Sequence, residues 1–173
     1  KVTTSVKECD LLIAQLGGMN DAGKVVLINV LGARRATDAY PMIKKQCSSA
    51  NAEICAAAFT ALQTVSKAEN AADLIAMLKQ TSDKKALSNL QNALIAIYSR
   101  TEKPDAGLVL KEILNEGMTE KLIPVLSSLN NPKALKTVVD LLKSTKPSER
   151  EAAFVSLSNW NDASAAPYLF AVF

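Results

Sequence analysis

The chain has 173 residues, of which 20 are Lys or Arg, 17 are Asp or Glu and none is His, for a net charge of +3. The missing imidazole excludes, within this chain, a histidine triad, a histidine zinc site and a histidine general base, and so small and dispersed a charge is a weak match to a phosphate-binding surface. Aromatic residues make up 5% of the chain and Gly and Pro number six each, too few for a turn-rich sheet protein, so an all-α fold is expected.

Taken in chain order, the apolar segments come in pairs, a helix A and a helix B separated by a short polar break. The first pair is expected over 5–17, ended by Gly17 and Gly18, and 21–33. The second covers 39–49, with Pro41 near its start, and 52–66, capped by Asn51. A third follows over 70–81 and 84–100, the latter capped by Asp83. Lys103 and Pro104 begin the fourth, 104–116 and 118–129, where Pro124 inside the second helix predicts a kink. The fifth spans 133–144 and 148–159, capped by Ser148, and a last A helix is expected over 164–173 with Pro167 near its start.

Two ladders tie these pairs to one repeat. Leu31, Leu62, Leu94, Leu126 and Leu157 follow one another at intervals of 31, 32, 32 and 31 in the B helices. In the A helices, Leu16, Cys47, Leu78, Leu110, Leu142 and Phe173 are spaced by 31, 31, 32, 32 and 31. Four residues before each of these rungs stand Leu12, Ile43, Leu74, Ala106, Val138 and Leu169, on the same helix face. Pro41, Pro104 and Pro167 are 63 residues apart, two units each time. A single helix pair cannot bury its apolar face alone, so neighbouring units must stack. The expected fold is therefore one domain over 1–173, an α-solenoid in which about five and a half repeats of 31–32 residues form an α-α superhelix.

Motifs that carry chemistry are few. Gly18–Val25, GMNDAGKV, fits the GxxxxGK spacing of a phosphate loop, but position 25 is Val where the magnesium ligand belongs. The preceding segment also has helical rather than strand spacing, so an ordinary turn between helices is expected. Glu149, Glu151 and Asp162 fall at helix starts or turns, where acidic side chains complement the helix dipole, and are read as solvated. Trp160, three residues past Leu157, is read as packing at a helix corner. Cys9, Cys47 and Cys55 lack metal-ligand spacing and cannot all pair internally. They are read either as buried small apolar residues or, for Cys47 and Cys55, as a bridge across the turn between two helices in an oxidising compartment. No catalytic residue, metal ligand or cofactor site is expected. No apolar stretch approaches the 18 or more residues of a membrane span, and no signal-peptide pattern is present at the start.

Ser148–Trp160, SEREAAFVSLSNW, and Asn51–Ser66, NAEICAAAFTALQTVS, resemble the second helix of a HEAT repeat, with a polar or acidic start, an apolar residue, an arginine, small residues and then Ala-Leu-Gly. Arg150 stands at the arginine position, which Lys24, Cys55, Leu87 and Thr119 occupy in the other units. The resemblance covers nearly the whole chain. It implies a right-handed superhelix with B helices lining the concave side, and a role in binding macromolecules rather than in catalysis. Leu157–Pro167, LSNWNDASAAP, is similar to a phrase in HEAT arrays of large secreted bacterial proteins, which implies an extracytoplasmic address.

The expected function is accordingly a non-catalytic protein-interaction scaffold or accessory domain. Its partner surface is expected on the B helices at Asn29, Thr60 and Asn92, with Gln63 and Gln91 beside them. The alternative is a nucleic-acid-binding solenoid, suggested by the sequence pI of 8.7, with Lys24 and Arg150 as its main inner cations. An enzyme built on carboxylates or cysteine has no support in the spacing. Because the chain starts at Lys1 and ends on Tyr168–Phe173, YLFAVF, we expect a fragment of a longer protein. Another B helix, a following domain or a dimer mate is expected to cover residues 168–173.

Overall fold

The computed structural model describes residues 2–102 and 104–170. The described residues form eleven α-helices and several short 3-10 turns, with no strand among them. The helices are α1 Val2–Gln15, α2 Asp21–Ala33, α3 Tyr40–Gln46, α4 Ala52–Val65, α5 Ala71–Gln80, α6 Lys84–Arg100, α7 Gly107–Glu112, α8 Thr119–Leu126, α9 Pro132–Leu141, α10 Pro147–Ser158 and α11 Ala166–Phe170. Odd numbers are the expected A helices and even numbers the B helices. Among the described residues, no helix is long and apolar enough to cross a membrane.

Side-chain caps start α2, α4 and α6, those at Asn51 and Asp83 as expected, whereas α8 has no side-chain cap. The Asn20 Oδ1 accepts from the Gly23 N–H at 2.9 Å, Asn51 Oδ1 from the Glu53 N–H at 2.9 Å, and Asp83 Oδ1 from the Ala86 N–H at 2.8 Å. The start of α10 departs from expectation. Pro147 takes the first helical position, where its missing N–H costs nothing, so Lys146 becomes the cap residue and Ser148 lies inside the helix. The Ser148 hydroxyl donates instead to Glu120 Oε1 at 2.6 Å.

The A helices α3, α5, α7 and α9 are shorter than their apolar patterns. The expected 104–116 helix contracts to α7, because Asp105 Oδ1 takes the Gly107 N–H at 2.8 Å and holds the chain in a turn before the helix begins. Pro104 therefore precedes the helix by three residues rather than opening it, and Lys103 lies outside the described residues. Gly117, at φ 74°, then turns the chain into α8, a conformation a side chain resists. The chain stays helical through Pro124 to Leu126, and its last turn tightens into a 3-10 turn, Ser127–Leu129, closed by Asn130 in the left-handed region.

Each even helix packs on the next, α2 on α4, α4 on α6, α6 on α8 and α8 on α10, while α3, α5 and α9 pack on α4, α6 and α10. One apolar core cluster runs from Cys9 to Ala165. All five rungs of the B ladder, Leu31, Leu62, Leu94, Leu126 and Leu157, are buried. Full burial of each such side chain contributes roughly 1.5–3 kcal/mol. The A ladder is less uniform. Leu16, Cys47 and Leu78 are buried, Leu110 and Leu142 are half-buried, and the expected rung at Phe173 lies outside the described residues, as does Val172. The residues one turn earlier follow suit, with Ile43, Leu74, Ala106 and Val138 buried and Leu12 and Leu169 half-buried against the core. Trp160 is half-buried and packed on this core, as the packing reading expects.

Candidate interaction surface

Two residues before each buried B-ladder leucine lies a position about 200° away around the helix. In α2, α4 and α6 it holds Asn29, Thr60 and Asn92, all exposed. The Thr60 hydroxyl donates to the Ala56 carbonyl of its own helix at 3.0 Å. Gln63 and Gln91 are placed differently from these three. Both are half-buried, and both spend an amide N–H on the neighbouring helix. Gln63 Nε2 donates to Asn89 Oδ1 at 3.0 Å and Gln91 Nε2 to the Lys121 carbonyl at 2.9 Å. The expected partner stripe thus divides into three solvated side chains and two that tie helices together.

Such ties recur at every junction of the even helices. Between α2 and α4, Asn51 Nδ2 donates to Asp21 Oδ2 at 3.0 Å and the Thr64 hydroxyl to the Gly32 carbonyl at 2.8 Å. Between α8 and α10, the buried Ser156 hydroxyl donates to the Ile123 carbonyl at 3.0 Å. Two cations reach further. Arg100 spans to the end of α4, donating to the Gln63, Thr64 and Ser66 carbonyls at 3.2, 3.4 and 3.3 Å. The Lys121 ammonium donates to the Leu78, Lys79 and Thr81 carbonyls at 2.9, 3.2 and 2.8 Å, capping α5. Both supply donors to helix-end carbonyls that have no intrahelical partner. These roles were not read from the sequence. The available signal was that polar residues flank the ladder leucines, as in Gln63 and Thr64 beside Leu62.

The sequence motifs find structural roles. GMNDAGKV covers the break before α2 and the first turn of α2 itself, with Asn20 as its cap and the Lys24 ammonium 3.8 Å from Asp21 Oδ1, and the strand that precedes a phosphate loop is replaced by α1. Glu149 is not the solvated helix-start residue the sequence suggests. It is buried, with the Ser144 hydroxyl donating to Oε2 at 2.6 Å and the Lys146 ammonium to Oε1 at 3.0 Å. These hydrogen bonds hold its carboxyl below the usual range, the Ser144 bond most strongly. Arg150 donates to the Ser144 carbonyl at 2.8 Å and so closes the turn before its own helix. Asp162 caps the following turn, and its bond with Ser164 lowers its carboxyl in the same way.

The cysteines are free thiols, so the bridge between Cys47 and Cys55 is not formed. The pair is nevertheless close, since the Cys55 thiol donates to the Cys47 carbonyl at 2.9 Å. Burial, and then the neighbouring Cys55, push the Cys47 thiol up to about 12, and burial with Asp83 raises that of Cys55. Both thiols are thereby kept protonated and poorly nucleophilic at neutral pH. Among the described residues, no group of three or more Cys, Asp or Glu side chains is gathered to hold a metal ion.

Towards the C-terminal end the exposed stripe changes character. Its register holds Pro124 in α8 and Val155 in α10, the latter 52% exposed. Together with Ile95 of α6 they line a cleft of about 410 Å³, rimmed by serine hydroxyls and by Asn159 and Asn161. Further along, Phe170 of α11 is exposed, while Leu169 packs on the core. Comparisons of the chain with known protein families and with curated proteins gave no match.

Proposed function

We propose that the chain is a non-catalytic interaction scaffold, an α-solenoid of HEAT-like helix pairs whose B-helix surface receives a protein partner. The carrying observation is the B ladder. Five leucines at intervals of 31, 32, 32 and 31 are all buried along the series α2, α4, α6, α8 and α10, in which each helix packs on the next. A serial stack of this kind buries its core between repeats and leaves one long surface free, the arrangement that suits recognition of another macromolecule.

The cations give no specific support to nucleic acid as that partner. Arg100 and Lys121 are spent on helix-end carbonyls, Arg150 on the Ser144 carbonyl, and Lys24 lies beside Asp21. The test is turnover on ester, phosphate and glycoside reporter substrates, together with titration against duplex DNA. Neither catalysis nor binding is expected. Turnover that co-purifies with the chain overturns the non-catalytic reading, and salt-sensitive duplex binding replaces the protein partner with nucleic acid.

A further inference from the structure

The cleft between α6, α8 and α10 differs from the rest of the surface in its chemistry. Its ten lining residues include no charged side chain, in a chain that is 21% charged. A phosphate or carboxylate entering it would shed water without meeting a cation, and an ammonium would meet no carboxylate, each at a substantial desolvation cost. The volume, about 410 Å³, falls within the usual range of ligand sites. No aromatic ring lines it, so a base or sugar face has no stacking platform.

What the cleft offers is an aliphatic floor and oriented amides. Ile95, Pro124 and Val155 converge from three successive even helices. Asn159 Nδ2 donates to the Val155 carbonyl at 3.0 Å and Asn161 Nδ2 to the Ser127 carbonyl at 3.4 Å. Each amide is thereby oriented, with its oxygen and a second N–H available to a ligand. A primary amide matches the donor and acceptor of a peptide group. Exposed aliphatic surface ringed by neutral polar groups also has the make-up of an interface centre, from which charge is depleted.

We propose that this cleft seats an uncharged extended peptide segment of the partner, with one aliphatic side chain between Ile95, Pro124 and Val155 and its peptide groups hydrogen-bonded to Asn159 and Asn161. The assignment rests on the interaction-scaffold reading and gives it a location and a ligand chemistry. Its test is selection of phage-displayed random octapeptides on the immobilised chain, followed by affinity measurements on the enriched peptides. Enriched sequences are expected to lack charge and to share an aliphatic residue. Their affinity should change by less than about twofold between about 50 and 500 mM NaCl, because no ion pair contributes.

Val155→Lys should weaken binding by at least about tenfold, whereas Leu114→Lys, at an exposed residue outside the cleft, should leave it unchanged. The Val155 variant should fold, since the same register already carries Asn29, Thr60 and Asn92, and circular dichroism checks this. Should it not fold, Asn159→Asp, exposed at the rim, introduces the same conflict of charge and should weaken binding as strongly. Enrichment of charged peptides, salt-sensitive binding, no effect of the substitutions, or no enrichment at all overturns the seat. The scaffold reading itself fails by the turnover and duplex results, so the two failures are distinct.

Discussion

The junction of α2 with α4 and that of α6, α8 and α10 are built on the same repeat and end differently. At the first, a Cβ placed on Gly32 would lie 3.2 Å from the Ala61 Cβ and 3.3 Å from its Cα, so the two backbones meet with no side chain between them. Thr64 exploits that approach to reach the Gly32 carbonyl. One repeat position covers Gly32, Gln63, Ile95, Ser127 and Ser158, immediately after each ladder leucine. Where it holds glycine the junction closes on the backbone, and where it holds Ile95 and Ser127 a cleft of about 410 Å³ remains. The A ladder shows the same gradient, with buried rungs up to Leu78 and half-buried ones at Leu110 and Leu142. A shared ladder sets which helices meet, and at the first junction the glycine beside it lets them close on the backbone.

The largest expected difference follows from this gradient. Leu62 is buried on α4, which packs on both α2 and α6, while Leu157 is buried on α10, which lines the open cleft. Truncation to Ala should cost about 3–5 kcal/mol at Leu62 and about 2–3 kcal/mol at Leu157, where the surroundings can relax into the space. Urea unfolding of the two variants measures both costs. Equal costs would show that the closed and open ends are packed alike.

The next contrast tests the register itself. Gly32→Val forces a branched side chain against the Ala61 backbone and should cost about 1–3 kcal/mol by overpacking. Ser127→Val, at the same register in the open junction, is a smaller enlargement that exchanges the hydroxyl for a methyl and adds a second one. Ser127 lines the cleft and the hydrogen bond of its hydroxyl, to the Pro124 carbonyl, is a long 3.4 Å, so the cost should stay below about 1 kcal/mol. Thermal unfolding of the pair gives the difference directly.

This contrast also marks what was legible in the sequence. The B ladder was, because five leucines at a constant spacing need only periodicity to be seen, and α6 runs over Lys84–Arg100 as its Asp83 cap and apolar pattern dictate. The extent of α7 was not, since Asp105 captures the Gly107 amide in a local turn that competes with the helix. Of the expected partner stripe, Asn29, Thr60 and Asn92 lie exposed as a surface requires, whereas Gln63 and Gln91 face neighbouring helices. Their direction depends on how closely the helices approach, which register alone does not encode. The cleft was missed for a similar reason. It arises from three residues on three helices, and at the register that holds Asn29, Thr60 and Asn92 the apolar Pro124 and Val155 are single residues with no periodic signal of their own.

A smaller effect distinguishes the buried from the half-buried rungs by pH. The Cys47 thiol is raised from 9.0 to about 12, chiefly by burial, so the folded chain keeps a proton that the unfolded chain releases. Its contribution to stability is full below pH 9 and is lost as pH rises towards 12. Between pH 8 and pH 10 that loss is about 1.4 kcal/mol. Cys47→Ala should remove this part of the slope, read as the difference in urea midpoints at the two pH values. An unchanged slope would mean that the rung is open to solvent when folded, as Leu142 partly is.

The smallest expected effect bears on whether the apolar end of the stripe serves the fold at all. Val155 is 52% exposed, and Thr60 already occupies the same register in α4. Val155→Thr keeps the branched shape and replaces one methyl by a hydroxyl that can bond the carbonyl one turn back, as Thr60 does with Ala56. Stability should therefore change by no more than about 0.5 kcal/mol. A loss above about 1 kcal/mol in urea unfolding would make Val155 a packing residue, the cleft a loosely closed part of the core, and the two junctions variants of one closed contact. A negligible change leaves its exposed aliphatic surface without a structural purpose within the fold, and recognition of a partner is then the use that fits its neutral surroundings.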